Sequence, residues 1–451
     1  MQVTPIILAA GQGVRMRSTL PKVLHHVAGR PLIAYSLAIA RELSDTLPVV
    51  VVGHGADQIR QAVGAAARFA LQEKQLGTAD AVRAAENLAR GTEYVVVFYA
   101  DMPLLKAETI RRLVETQREN SGPVSMLTVS MDDPHGFGRI VRNADDTVAA
   151  IVEEAQAAPE ILAIRELNVG AYCFSADWLW NALSRVEKSP KGEYYLTDTI
   201  ALARQDNQPV RALVLGDPDE ALGINTRVHL AEAEAVMRRR INTGWMAGGV
   251  TLIDPSSTYI EAGVTLGADT VIWPNSYLRG NTVIGCGCEI GPNTIIEDST
   301  VGDNSRLLCA VLEGAVIENE VSMGPFVHLR KGAHLARGVH MGNFGEVKDS
   351  YLGQNVKMGH FSYIGNATIG EDVNIGAGTI TCNYDGQQKY PTVIGARAFI
   401  GSDTMLVAPV SIGENARTGA GAVVTHDVPP NETVVGVPAR PLPKKVISER
   451  E

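Results

Sequence analysis

Between Ile394 and Val424 a core-type residue returns every six positions: Ile394, Ile400, Leu406, Ile412, Thr418 and Val424. Glycine follows four of them directly, as Gly395, Gly401, Gly413 and Gly419. An α-helix and a flat strand have shorter periods, so neither explains a repeat of six. A parallel β-helix does: each hexad supplies one short strand and one tight corner. The aliphatic residue points into the coil. The glycine is expected at the corner, where φ is unusual and a Cβ would crowd. The same register holds through Ile284, Ile290 and Ile296, through Met323, Leu329, Leu335, Met341 and Val347, and through Leu352, Met358 and Ile364. Ile369 and Ile375 continue it, and then residues 381–390 break out of the coil before Ile394. A solenoid needs no such excursion, so this loop is a functional candidate; the alternative is a tolerated surface insertion.

The chain's 451 residues exceed one ordinary core, so at least two domains are expected. Residues 1–225 alternate apolar strands (Ile6 to Leu8, Val49 to Val52, Val95 to Phe98) with helical stretches over 31–40 and 78–88. This predicts an α/β domain with a mostly parallel, Rossmann-like sheet, whose ligands bind beyond the carboxyl ends of the strands. Leu230, Ala233, Met237 and Ile241 then share one helical face. They predict a connecting helix over 226–246 that ends near Gly244. The β-helix takes 247–451.

Net charge is −10 with no long basic run, which argues against a nucleic-acid partner. No apolar run reaches membrane-spanning length and no signal-peptide pattern opens the sequence, so the cytoplasm is the expected compartment. Cys173, Cys286, Cys288, Cys309 and Cys382 have no metal or redox spacing and read as reduced thiols in or near a core.

Two strand ends carry chemistry. After Leu8 comes Ala9-Ala10-Gly11-Gln12-Gly13-Val14-Arg15-Met16, with Pro21-Lys22 beyond. Glycines let backbone N–H groups approach phosphate oxygens, and Arg15 and Lys22 add positive charge. The loop is neither a Walker A nor a dinucleotide fingerprint. After Ala100 comes Asp101, an acid placed to hold Mg²⁺ beside substrate phosphates or to cap a turn.

With residues 72–79 and 99–104, this loop resembles the signature motifs of the sugar-nucleotide pyrophosphorylases. The segments Gly136 to Ile140, Ile151 to Glu153, Asn168 to Gly170 and Gly192 to Asp198 follow in that family's order. Joined to a hexapeptide coil, nearly the whole chain resembles the bacterial bifunctional enzymes that are both N-acetylglucosamine-1-phosphate uridylyltransferases and glucosamine-1-phosphate N-acetyltransferases. For the first half the resemblance implies Mg²⁺-dependent uridylyl transfer from UTP, with Asp101 and Asn225 as metal ligands. Asn225 also precedes a helix and reads equally as its N-cap. Arg15 and Lys22 balance phosphoryl charge. Leu8, Ala9, Ala10, Gly11, Gln72, Gly77 and Thr78 line the nucleotide pocket, and Gly138, Glu153, Asn168 and Tyr195 the sugar pocket. Gln12, Val14 and Ala100 stand where the family often has lysine, threonine and glycine.

A coil can be purely structural, so its polar residues must carry any second activity. In Gly359-His360-Phe361 a histidine sits at the coil surface, where it is either an idle surface group or a base. The resemblance implies the base: His360 takes a proton from the amine of glucosamine-1-phosphate as it attacks acetyl-CoA, with Glu346 orienting it. It implies Arg330 and Lys348 on the sugar phosphate, and Tyr363 and Asn374 on the sugar. Asn383, Tyr384, Lys389, Ser402, Ala420 and Arg440 follow for acetyl-CoA, Asn383 facing the developing oxyanion. It also implies a left-handed coil, a homotrimer and a product that feeds envelope precursors. His328, His334 and His340 lie six apart and therefore on three different faces of a three-sided coil, which disfavours a shared metal. The alternative function is a single-activity pyrophosphorylase whose coil only builds the oligomer.

Overall fold

The computed structural model describes residues 2–132, 136–154 and 157–442. It divides into two compact units, 1–237 and 238–451.

In the first unit, Val3–Ala9 lies between Val49–Val52 and Tyr94–Tyr99, parallel to both, and Arg68–Leu71 extends the sheet in parallel beyond Val49–Val52. Val124–Ser130 and Val210–Val214 form a second parallel pair. Glu166–Ser175 joins the two groups and runs antiparallel to both neighbours. Side chains alternate across a strand, so a run of four valines feeds two cores: Val50 and Val52 pack into one and Val49 and Val51 into the other. The helix expected over 31–40 spans Leu32–Leu43, just after Pro31. The one expected over 78–88 is broken at Ala85 into Thr78–Ala84 and Glu86–Ala89.

The helix Arg227–Ala247 outruns its expected end at Gly244. Gly244 lowers helix propensity but still accepts a hydrogen bond from Gly248 N–H. The stop comes at Gly249, whose φ of 93° permits a left-handed cap; Val250 N–H then closes back on Trp245 O. Early in the helix Ala233 and Met237 are buried, and Ile241 and Trp245 pack on the coil core.

Among the described residues the second unit is a three-faced coil of ladders with 12, 10 and 9 strands, parallel except for the last pair, Thr433–Val435 with Arg440–Pro441, consistent with a left-handed β-helix of hexapeptide repeats. The first face includes Lys357–Met358, Asn374–Ile375 and Phe399–Ile400; the second, Gly345–Lys348, Ser362–Gly365 and Ile380–Cys382; the third, Ser350–Leu352, Ala367–Ile369 and Thr392–Ile394. Hexad residues from Ile284 to Val424 are buried in one continuous core. The expectation for the corner glycines is half corrected. Gly395 and Gly401 do not take the left-handed conformation; it falls two residues later, at Arg397, Asp403, Asn415 and Gly421. What they provide is closeness: a Cβ on Gly395 or Gly401 would lie 2.6 Å from backbone of the next coil.

His328, His334 and His340 do fall on three different faces. His328 meets Glu313, His334 meets Glu318 and His340 meets Ser322. Among the cysteines Cys173 and Cys288 are buried, whereas Cys286 is exposed. No helix of the described residues is long and apolar enough to cross a membrane.

Candidate active sites

The strands Val3–Ala9, Arg68–Leu71 and Tyr94–Tyr99 deliver Gly11, Gln72 and Asp101 just past their carboxyl ends, at a cleft of about 660 Å³. Every first-half residue singled out above lines it: Leu8, Ala9, Ala10, Gly11, Arg15, Lys22, Gln72, Gly77, Thr78, Asp101, Gly138, Glu153, Asn168, Tyr195 and Asn225. Lys22 Nζ pairs with Asp101 Oδ2 and also donates to Asn225 Oδ1 at 3.2 Å. A carboxylate and an amide oxygen thus converge on one positive centre, and hard oxygen donors of this kind fit Mg²⁺. Asn225 is not the helix N-cap: Thr226 Oγ1 accepts from His229 N–H, leaving the Asn225 side chain to the cleft.

Gly13 has a φ of 62°, and a Cβ there would lie 2.8 Å from Lys22 Cβ, so the signature loop rests directly on the lysine. At Gly11 a Cβ would meet nothing, which leaves that stretch open to a ligand. Gln72 is buried and its amide donates to Gly77 O and Asp80 Oδ2, so the carbonyl oxygen is its remaining polar group. Asn168 stands at the bulge of its strand, its oxygen accepting from Gly170 N–H and its amide bonded to the Tyr172 hydroxyl. Burial pushes the Tyr172 and Tyr99 hydroxyls far above the phenol range. Ala100 is fully buried in the core beneath the cleft, so its methyl does not obstruct a ligand, and Gln12 and Val14 are exposed.

On the coil, His360, Ser402 and Ala420 are the second residues of corners between the first and second faces, in different coils, and Ala377 occupies the equivalent place between them. Corner backbones bond coil to coil: Gly378 N–H to Phe361 O, Asp403 N–H to Ala377 O, Gly421 N–H to Ser402 O. At about 4.8 Å per coil, His360 to Ala420 spans roughly 14 Å of one edge. Glu346 and Tyr363 are neighbours on the second face. Glu346, however, pairs with Arg330 at 3.1 Å, and no hydrogen bond joins it to His360 among the described residues. The excursion expected over 381–390 starts later, because Thr381 and Cys382 still pair in the coil strand Ile380–Cys382; from Asn383 the chain leaves as a hairpin closed by a Tyr384–Lys389 bridge. The hairpin brings Lys389 to Lys348, and the two amines with Arg330 form a cationic cluster. Contact with Lys389 holds Lys348 below the ordinary lysine range, with Arg330 adding to the effect. Lys389, expected at acetyl-CoA, thus stands beside Lys348 and Arg330, the two cations expected at the sugar phosphate. Asn383 is buried and donates to Asn366 Oδ1, so it anchors the hairpin. Tyr384 is exposed, its hydroxyl turned to Gly386 O. Asn374 lies on the first face, and Arg440 is exposed on a strand paired with Thr433–Val435.

Residues 5–180 match the family of MobA-like NTP transferase domains, and residues 391–426 match the bacterial transferase hexapeptide of six repeats. The chain is 46% identical over 435 residues to the bifunctional protein GlmU of Trichlorobacter lovleyi, covering 95% of each chain. It is 47% identical over 428 residues to that of Heliobacterium modesticaldum, covering 94% of this chain and 93% of the other. The chain belongs to the bifunctional GlmU family. A GlmU of Syntrophomonas wolfei is 43% identical over 437 residues, 96% of this chain and 97% of the other. Within this GlmU chain, the alignment of Ala377 with His360, Ser402 and Ala420 along one edge becomes visible only once the coils are stacked. Gln75, Tyr99, Phe137 and Glu193 lie within the motif segments quoted above but were given no role, and all four line the cleft. Tyr99 had a signal, being the last residue of a strand that ends at the site.

Proposed function

We propose that the first unit carries the uridylyl transfer and the second the acetyl transfer of UDP-N-acetylglucosamine synthesis. The observation that carries the first assignment is the convergence of Lys22, Asp101 and Asn225 at the mouth of the glycine loop. The phosphate of N-acetylglucosamine-1-phosphate attacks the α-phosphorus of UTP, a new P–O bond forms, and the bond to pyrophosphate breaks. Arg15 and Lys22 stabilise the charge that develops on the equatorial oxygens. Mg²⁺ bound by Asp101 and Asn225 would supply charge neutralisation there. The Gln72 oxygen faces the base, and Glu153, Asn168 and Tyr195 hold the sugar.

In the second unit, the amine of glucosamine-1-phosphate attacks the thioester carbonyl of acetyl-CoA. His360 takes the amine proton, the C–S bond breaks, and the departing thiolate is protonated to the free thiol by the imidazolium or by water. The edge from His360 to Ala420 matches the length of an extended thiol arm, and Arg330, Lys348 and Lys389 offer the phosphate a cluster of cations. The second reading, a coil that only assembles the oligomer, is favoured by one observation: Glu346 is committed to Arg330.

Glucosamine-1-phosphate, acetyl-CoA, UTP and Mg²⁺ in one tube test both. Free thiol first, with pyrophosphate following only when acetyl-CoA is present, supports two working sites. Pyrophosphate only from pre-acetylated sugar, with no thiol, makes the coil a scaffold.

A further inference from the structure

Lys22 is central to the cleft, yet nothing in its own turn explains how its ammonium is kept on Asp101 and Asn225, which lie 79 and 203 residues away in sequence. The turn Lys22–Leu24 closes on His25, whose N–H donates to Lys22 O at 3.2 Å. The His25 ring is buried at 6% exposure and lies beside the Leu20 carbonyl. Its Nδ1 faces Arg227 Nη1 at 3.2 Å. A guanidinium only donates, so Nδ1 is the acceptor and the proton sits on Nε2, which is buried without a hydrogen-bond partner among the described residues. Arg227 Nε also donates to Met16 O, at the end of the signature loop. One guanidinium thus joins that loop, the Lys22 turn and the first residue of the helix that follows Asn225. Glu234 adds a second bolt by accepting from Ala28 N–H at 2.7 Å. None of His25, Arg227 or Met16 lines the cleft.

Arg227 is also in the wrong place for the helix it begins. The N-terminal end of a helix is the positive end of its dipole, and a cation there is unfavourable. Arg227 is exposed to solvent, yet its guanidinium spans two buried residues, His25 and Met16, beside an active site, and a local rule broken there points to function.

We infer that His25 and Arg227 form a latch that sets Lys22 against Asp101 and Asn225, and that both are positioning residues for uridylyl transfer. The inference rests on the reading of the first unit given above. The latch touches no substrate. It fixes three segments that are remote in sequence, so that phosphate, metal ligands and lysine meet in one geometry.

The test uses the full-length protein and two readouts. One is the rate of pyrophosphate release; the other is Mn²⁺ binding in the presence of UTP, followed by electron paramagnetic resonance. With Arg227→Met, kcat should fall about 10- to 100-fold while KM for the sugar phosphate stays within about twofold. Mn²⁺ binding should weaken several-fold. His25→Leu should do the same, and the double variant should be little worse than either, because the two act as one unit. His25→Asn, which keeps an acceptor near Nδ1, should recover most of the rate. The latch is overturned by variants that retain the unsubstituted kcat and Mn²⁺ affinity, by additive losses in the double variant, or by a loss confined to KM. Should Arg227→Met not fold, the contrast between His25→Asn and His25→Leu decides alone. An unsubstituted protein that makes no pyrophosphate refutes the functional reading instead, and Mn²⁺ binding still reports on the latch.

Discussion

Asn225 shows how far local chemistry can be read from sequence. An asparagine just before an amphipathic helix is a good N-cap, and so is the threonine after it. Only the fold decides between them: Thr226 caps, and Asn225 turns to Lys22. Lys348 gives a pH prediction at the same scale. Its neighbours Lys389 and Arg330 hold its ammonium below the ordinary lysine range. A lysine depressed in this way loses its charge earlier as pH rises. The KM for glucosamine-1-phosphate in acetyl transfer should therefore climb at a lower pH than an ordinary lysine, with its midpoint of about 10.4, would give. Lys389→Met removes the like charge and raises the Lys348 midpoint. Binding should be weaker at neutral pH, yet the climb should move to higher pH. A thiol-release assay across pH checks both, and an unshifted climb would show the two amines to be uncoupled.

Elements were legible in proportion to their repetition. The six-residue period exposed the coil because an inward residue returns at it even where apolar neighbours flank it, as Phe399 precedes Ile400 and Met405 and Val407 bracket Leu406, and those hexad residues are buried. The corners were less legible, since Arg397, Asp403, Asn415 and Gly421 share a left-handed conformation but no residue type. The site cleft was legible wherever a residue lies just past a strand's carboxyl end, as Asp101 does. Contacts between distant segments, such as Glu346 with Arg330, leave no local trace. The glycines divide by mechanism. Gly395→Ala drives a Cβ to 2.6 Å from Glu414 N in the next coil, and backbone there has no room to yield. It should destabilise the second unit by about 1–3 kcal/mol. Gly244→Ala sits within a helix with nothing within 4 Å of its Cβ, and should stabilise by about 0.5–1 kcal/mol. Denaturant unfolding followed for each variant tests the opposite signs.

At the scale of the molecule, the coil residues assigned to one reaction do not share one face. Tyr363 projects from the second face and Asn374 from the first. Outward side chains on different faces of a three-sided prism diverge, so both can reach one sugar only if a second copy brings its face to the first. The edge near His360 favours that: Phe326, Phe344 and Phe361 are each more than half exposed, and the first two stack at 5.2 Å. A surface that meets a different surface of its copy closes into a ring when the rotation allows, and the ring expected from the resemblance is a homotrimer. Composite sites of this kind have a quantitative signature. His360→Ala and Asn374→Ala should each abolish or sharply reduce acetyl transfer as pure proteins. Mixed as subunits of one trimer, a chain lacking one group sits beside a chain lacking the other, and some interfaces regain both. In a random equal mixture roughly one quarter of interfaces would be intact, so acetyl transfer should return to about that fraction of the unsubstituted rate. Sedimentation identifies the assembled species. Mixed trimers that form and stay inactive would place both groups in the same chain's site, and an active monomer would remove the need for a second copy altogether.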